Sequence, residues 1–131
     1  MTDAATPFAG WFDGPVALVT GGASGMGRSI ANAFATAAAR VVVADVSVDG
    51  GEETATAIKQ AGSEAIFVRI DVSQAMDVEA AVASAVSTYG GLDAAVNAAA
   101  IKGESGLLAD TDEDIFDRLI AVNLKSIFLS M

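Results

Sequence analysis

Between Val16 and Asn97 the chain alternates short apolar runs with longer stretches in which apolar residues recur every three or four positions. Val16 to Thr20 is a continuous run that stops at Gly21-Gly22, the pattern of a strand buried on both faces. From Met26 the spacing changes, with Ile30, Ala31, Phe34, Ala35 and Ala38 on one helical face, and Val41 to Ala44 is again β-branched. The unit then repeats. Glu52 to Gln60 predicts a polar helix ended near Gly62, Ala65 to Ile70 a strand, Met76 to Tyr89 a helix ended at Gly90-Gly91, and Ala94 to Asn97 a fourth strand. Gly103 to Gly106 reads as a loop, after which Thr111 or Asp112 can cap a last helix through Ile115, Leu119, Val122 and Ile127.

Four strands in alternation with four helices require crossover connections, and strands that are apolar throughout require cover on both faces. The expected fold class is therefore α/β, a doubly wound parallel sheet of the Rossmann type with flanking helices. Residues 1–14, which include Pro7, Phe8, Trp11 and Phe12, follow neither period and read as a flexible lead; residues 15–131 read as one domain.

Composition narrows the functional classes. The 131 residues are 53% hydrophobic, enough for a continuous core, and 17 acidic against 7 basic side chains give a formal charge of -10. No window gathers Lys or Arg into a patch that could neutralise a phosphate backbone, so no nucleic-acid partner is expected. Met1 to Gly14 carries no Lys or Arg, and no apolar stretch reaches the length of a membrane span, so a soluble, cytoplasmic protein is expected. Cysteine and histidine are absent, which removes thiol chemistry and the usual transition-metal ligands, and no metal is expected. Acid–base chemistry would fall to carboxylates, Lys, or the single tyrosine, Tyr89.

The candidate chemistry starts at Thr20-Gly21-Gly22-Ala23-Ser24-Gly25-Met26-Gly27, between the first strand and the first helix. Backbone amides and the helix dipole there can hold a pyrophosphate, with the Ser24 hydroxyl and the Met26 amide as further donors and Gly27 allowing close helix–strand packing. Asp45 ends the second strand, where a carboxylate binds adenosine ribose hydroxyls and repels a 2′-phosphate; no Arg or Lys follows it closely, so NAD is expected over NADP. An Asp at a strand end also commonly caps a turn.

The spacing Thr-Gly-x-x-x-Gly-x-Gly resembles that of the short-chain dehydrogenase/reductase family in its single-domain form. The likeness continues down the chain. Asp71-Val72 matches the family pair that contacts adenine, and Asn97-Ala98-Ala99-Ala100 aligns with Asn-Asn-Ala-Gly after the fourth strand, so that Asn97 and Ala99 match while Ala98 and Ala100 depart. A methyl group at Ala100 would be unfavourable if the family glycine serves a positive φ or close cofactor approach. Ala38 stands where a glycine commonly ends the first helix. Val122-Asn123-Leu124 matches the family's catalytic Asn, whose implied role is to hold a water in a proton relay to the active-site Lys.

The resemblance implies an NAD-dependent oxidoreductase that moves hydride between nicotinamide and a small-molecule alcohol or carbonyl. In the family the catalytic Ser and Tyr-x-x-x-Lys follow the position of Asn123, and the sequence stops at Met131; Tyr89 has no Lys four residues on. The sheet is accordingly expected to be incomplete, the fourth strand an exposed edge, and the chain alone inactive and poorly soluble. A homo-oligomer paired through the last helix is the family habit. Alternatives on the same fold are a non-catalytic NAD-binding fragment, an isomerase or a scaffold.

Overall fold

The computed structural model describes residues 14–131, so the expected lead over residues 1–14 lies outside the described residues apart from Gly14. All four strands form where the apolar runs place them, as β1 Val16–Thr20, β2 Arg40–Asp45, β3 Ala65–Arg69 and β4 Ala94–Asn97. They pair in parallel in the order β3-β2-β1-β4. The chain steps outward from β1 to β3 and then crosses back to lay β4 on the other side of β1. The order therefore reverses between β1 and β4, and a crevice opens there above the strand carboxyl ends.

Alternation along the strands feeds two apolar layers. Val16, Leu18, Val42 and Ala44 pack with Ala81 and Ala85 on one face, while Val19, Val41 and Val43 pack with Ala31, Ala35, Ala55 and Ile58 on the other. Those partners lie on α1 Gly25–Thr36, α2 Val48–Gln60 and α3 Ala75–Tyr89. β1 is buried throughout, whereas β4, one of the two edge strands with β3, exposes Ala95 and Asn97. No helix among the described residues is long and apolar enough to cross a membrane.

The helices depart from expectation in three places. α2 begins at Val48 rather than Glu52, although Gly50 and Gly51 are poor helix formers. Tertiary contact decides it: the Phe67 ring lies over Gly51, and Gly50 abuts the Ala23 carbonyl, where a Cβ would come within 2.8 Å. The single last helix is instead α4 Glu113–Ile120, a π-helical segment Ala121–Lys125 and α5 Ser126–Ser130, preceded by a 3-10 turn Leu108–Asp110 that the pattern did not predict. Asp112 occupies the N-cap of α4, but its side chain makes no capping bond; its carbonyl accepts the Ile115 and Phe116 amides.

The third departure is at Ala100, whereas Ala38 behaves as the glycine position it was read to be. Ala100 is not in the left-handed region; Ala38, at φ 70°, is the one non-glycine residue there among the described residues. The Ala39 amide reaches the Phe34 carbonyl and the Ala38 amide that of Ala35, a Schellman ending of α1. α2 ends identically through Ser63 to Ile58 and Gly62 to Lys59, with Gly62 in the left-handed position.

Candidate functional site

The loop from β1 to α1 depends on two glycines. Gly21 sits at φ 69°, and a Cβ on it would fall 2.7 Å from the Ala99 amide nitrogen. At Gly27 a Cβ would collide with the Gly21 carbonyl, so α1 starts flush against the loop that precedes it. Thr20 closes the gap to β4: its hydroxyl donates to the Val96 carbonyl at 3.4 Å and accepts the Ala99 amide at 3.3 Å.

The amino end of α1 is left open to an anion. Ser24 occupies the N-cap without a side-chain bond to its own helix, and the first turn holds no acid. α2, α3 and α4 each carry acids in that turn, at Asp49, at Asp77, and at Glu113 and Asp114. No acid of its own first turn offsets the partial positive charge at the start of α1, which lines a cleft with the exposed Ser24 and Met26.

Asp45 and Asp71 border the same cleft from the ends of β2 and β3. Asp45 accepts the Ala23 amide through Oδ2 at 3.0 Å and the Ser47 amide through Oδ1 at 2.9 Å. The turn-capping role is therefore real, and it coexists with an open site, because an ionised carboxylate has about four acceptor positions. Asp71 accepts the Ser73 hydroxyl at 2.6 Å and the Ser73 amide at 2.9 Å through Oδ1. The Ser73 hydroxyl first, and its amide second, hold the Asp71 carboxyl below the usual carboxylate range, with Arg69 and Arg118 adding to the effect against partial burial.

The cleft has a volume of about 460 Å³. It brings together Gly21, Ser24, Gly25, Met26, Gly27, Asp45, Asp71, Val72 and Ala99, nine of the positions singled out in the sequence. Asn97 and Asn123 are not among its lining residues. Asn97 ends the edge strand opposite Thr20. Asn123 lies in the π segment and spends its amide on the backbone of Ile101, accepting the N–H at 2.9 Å and donating to the carbonyl at 2.8 Å; Ile101 itself lines the cleft. Those two bonds leave one Oδ1 lone pair and one Nδ2 hydrogen of the Asn123 amide for a further partner.

Sequence reasoning missed Val46, Ile70, Ser73, Ile101, Arg118, Ala121 and Val122 as lining residues. Arg118 is the only cation lining the cleft, and its charge helps to hold the Asp71 carboxyl low. Helical spacing held the signal, since residues 118 and 122 share a face. A diphosphate at the start of α1, a sugar hydroxyl at Asp45 and a flat ring near Asp71 and Val72 suit this donor and acceptor set.

Comparison with known proteins identifies the family and the fold. The family model described as short chain dehydrogenase matches residues 15–131. A short chain dehydrogenase/reductase of Aspergillus oryzae is 41% identical over 115 residues, 87% of this chain and 44% of the relative. A 2,5-dichloro-2,5-cyclohexadiene-1,4-diol dehydrogenase of Sphingobium indicum is 38% identical across 90% of this chain and 47% of its own length. A 3beta-hydroxysteroid dehydrogenase of Eggerthella lenta is 41% identical across 87% and 44% respectively. The crystal structure of a 3-ketoacyl-ACP reductase from Sinorhizobium meliloti superposes with a TM-score of 0.85 at 38% identity, covering 88% of this chain and 46% of that one. The chain thus spans less than half the length of these relatives.

Proposed function

The chain belongs to the short-chain dehydrogenase family of oxidoreductases, which use a nicotinamide cofactor, and from that premise we propose that residues 15–131 form the cofactor-binding first part of an NAD-preferring dehydrogenase or reductase. The cofactor, when bound, supplies the hydride carrier. The chain's own residues bind and orient it. Gly21, Gly25, Gly27, Ser24 and the Met26 amide hold the diphosphate, Asp45 the adenosine ribose, and Asp71 and Val72 the adenine, while Asn97 and Ala99 border the path towards the nicotinamide.

The observation that carries the proposal is Asp45 standing in the cleft beside the uncapped start of α1. A fixed carboxylate there accepts two ribose hydroxyls and repels a 2′-phosphate, and Val46, which follows it, offers no counter-charge. The diol, hydroxysteroid and ketoacyl substrates named for the relatives share a hydroxyl or keto function, which supports a small-molecule alcohol or carbonyl as substrate of the whole protein. Asn123 enters as a positioning residue, fixing Ile101 at the wall of the cleft. Hydrogen exchange with and without NAD tests the placement: protection is expected at residues 21–27, 45–46 and 71–72, and protection elsewhere, or nowhere, contradicts it.

A further inference from the structure

The loop that would hold the diphosphate is gripped from outside the cleft by a side chain that touches none of the expected ligand groups. Arg28, in the first turn of α1, donates through Nη2 to the Ala23 carbonyl at 2.6 Å, to the Gly50 carbonyl at 3.3 Å and to Glu53 Oε2 at 3.1 Å. The Ala23 N–H is meanwhile held by Asp45. Both backbone polar groups of Ala23 are therefore fixed, one from β2 and the other from α2 by way of Arg28.

Peptide planarity turns this grip into ligand geometry. The Ala23 carbonyl and the Ser24 N–H belong to one trans peptide and point in opposite directions. Drawing the carbonyl towards α2 sends the Ser24 N–H away from α2. If that peptide rotated, it would present carbonyl lone pairs where an anion needs a donor. Gly50 permits the arrangement, because a Cβ there would come within 2.8 Å of the Ala23 carbonyl oxygen and push α2 off the loop.

Resting on the dinucleotide reading above, we propose that Arg28 is a positioning residue for the cofactor diphosphate, holding the Ala23–Ser24 peptide in its anion-accepting orientation. Glu53 contributes less than the two carbonyls: the Glu53 side chain is 70% exposed and the Arg28 side chain 34%, so their ion pair is solvent-screened. The three contacts share one nitrogen, so a lysine ammonium can reproduce them in part, whereas a methionine keeps only the apolar stem.

Arg28→Met, Arg28→Lys and Glu53→Gln, each titrated with NAD, ADP-ribose and adenosine, test the assignment. Arg28→Met is expected to weaken NAD and ADP-ribose by roughly tenfold, the size of one lost charge-assisted hydrogen bond, while leaving adenosine, which lacks the diphosphate, unchanged. Arg28→Lys is expected to recover most of the loss, and Glu53→Gln to stay within about threefold of the parent. NAD affinity of Arg28→Met within twofold of the parent, or a parallel loss for adenosine, overturns the proposal. Amide exchange at Ala23, whose N–H is held by Asp45, separates the two readings without ligand: faster exchange in Arg28→Met supports the clamp, and unchanged exchange overturns it, whether or not the parent binds NAD. A parent that binds no dinucleotide overturns the cofactor reading and the diphosphate role with it.

Discussion

Asn123 treats Ile101 as a strand would treat its neighbour, accepting the Ile101 N–H at 2.9 Å while donating to the Ile101 carbonyl at 2.8 Å. The irregular chain after β4 is thereby tied to the π-helical segment, a type of helix irregularity that recurs at functional sites. Asn123→Ala removes both bonds at a solvent-exposed position and should lower stability by about 1–2 kcal/mol. Asn123→Asp keeps the acceptor but turns a second oxygen towards the Ile101 carbonyl, so it should be at least as damaging. Urea unfolding checks both, and an aspartate variant as stable as the parent would sink the clamp.

Asp45 serves the loop and the ligand with the same carboxylate, so its replacement should be read with two cofactors. Asp45→Asn retains one carbonyl oxygen for the Ala23 or Ser47 amide and removes the charge that repels a 2′-phosphate. NAD affinity is expected to fall and the preference over NADP to narrow by roughly tenfold, about 1.4 kcal/mol. An unchanged ratio of the two affinities would remove Asp45 from cofactor choice.

Ala38 and Gly62 end α1 and α2 through the same pair of Schellman bonds, yet Ala38 carries a methyl group in the left-handed region and is exposed, so the methyl group gains little burial. Ala38→Gly should raise stability by about 0.5–1 kcal/mol, the relief of strain outweighing the extra freedom of glycine in the unfolded chain. A lower denaturation midpoint would contradict this.

Asp71 sets a pH dependence whose sign follows from its depressed pKa. The folded state prefers the carboxylate more than the unfolded state does, so the contribution is present above the unfolded value near 3.8 and is lost as pH falls through the folded value. Ser73→Ala removes the leading cause, the hydroxyl bond, and should move the Asp71 titration upward towards 3.8 in a carboxyl NMR titration. No movement would show that the Ser73 hydroxyl does not hold the charge.

Strand positions and the place of the cleft were legible because β1, β2 and β3 carry apolar runs and Gly21 to Gly27 sit between a strand and a helix; the order β3-β2-β1-β4 came only with the fold. Helix starts were less legible. Gly50 and Gly51 argue locally against helix, and only the packing of Phe67 and Ala23 around them explains why α2 begins at Val48. Of the two positions where an alanine stands for a family glycine, Ala38 at the end of α1 carries the positive φ and Ala100 does not. Arg28 could not be placed by pattern, since a long side chain's target depends on what the fold brings within its reach.

Calorimetric titration of the protein with NAD and with NADP is the most direct test of the dinucleotide site. Saturable binding of NAD at one site per chain, roughly tenfold or more tighter than NADP and lost in Gly27→Ala, where the new methyl group meets the Gly21 carbonyl, is the expected result. Saturable binding of neither dinucleotide, or equal affinity for both, would contradict it.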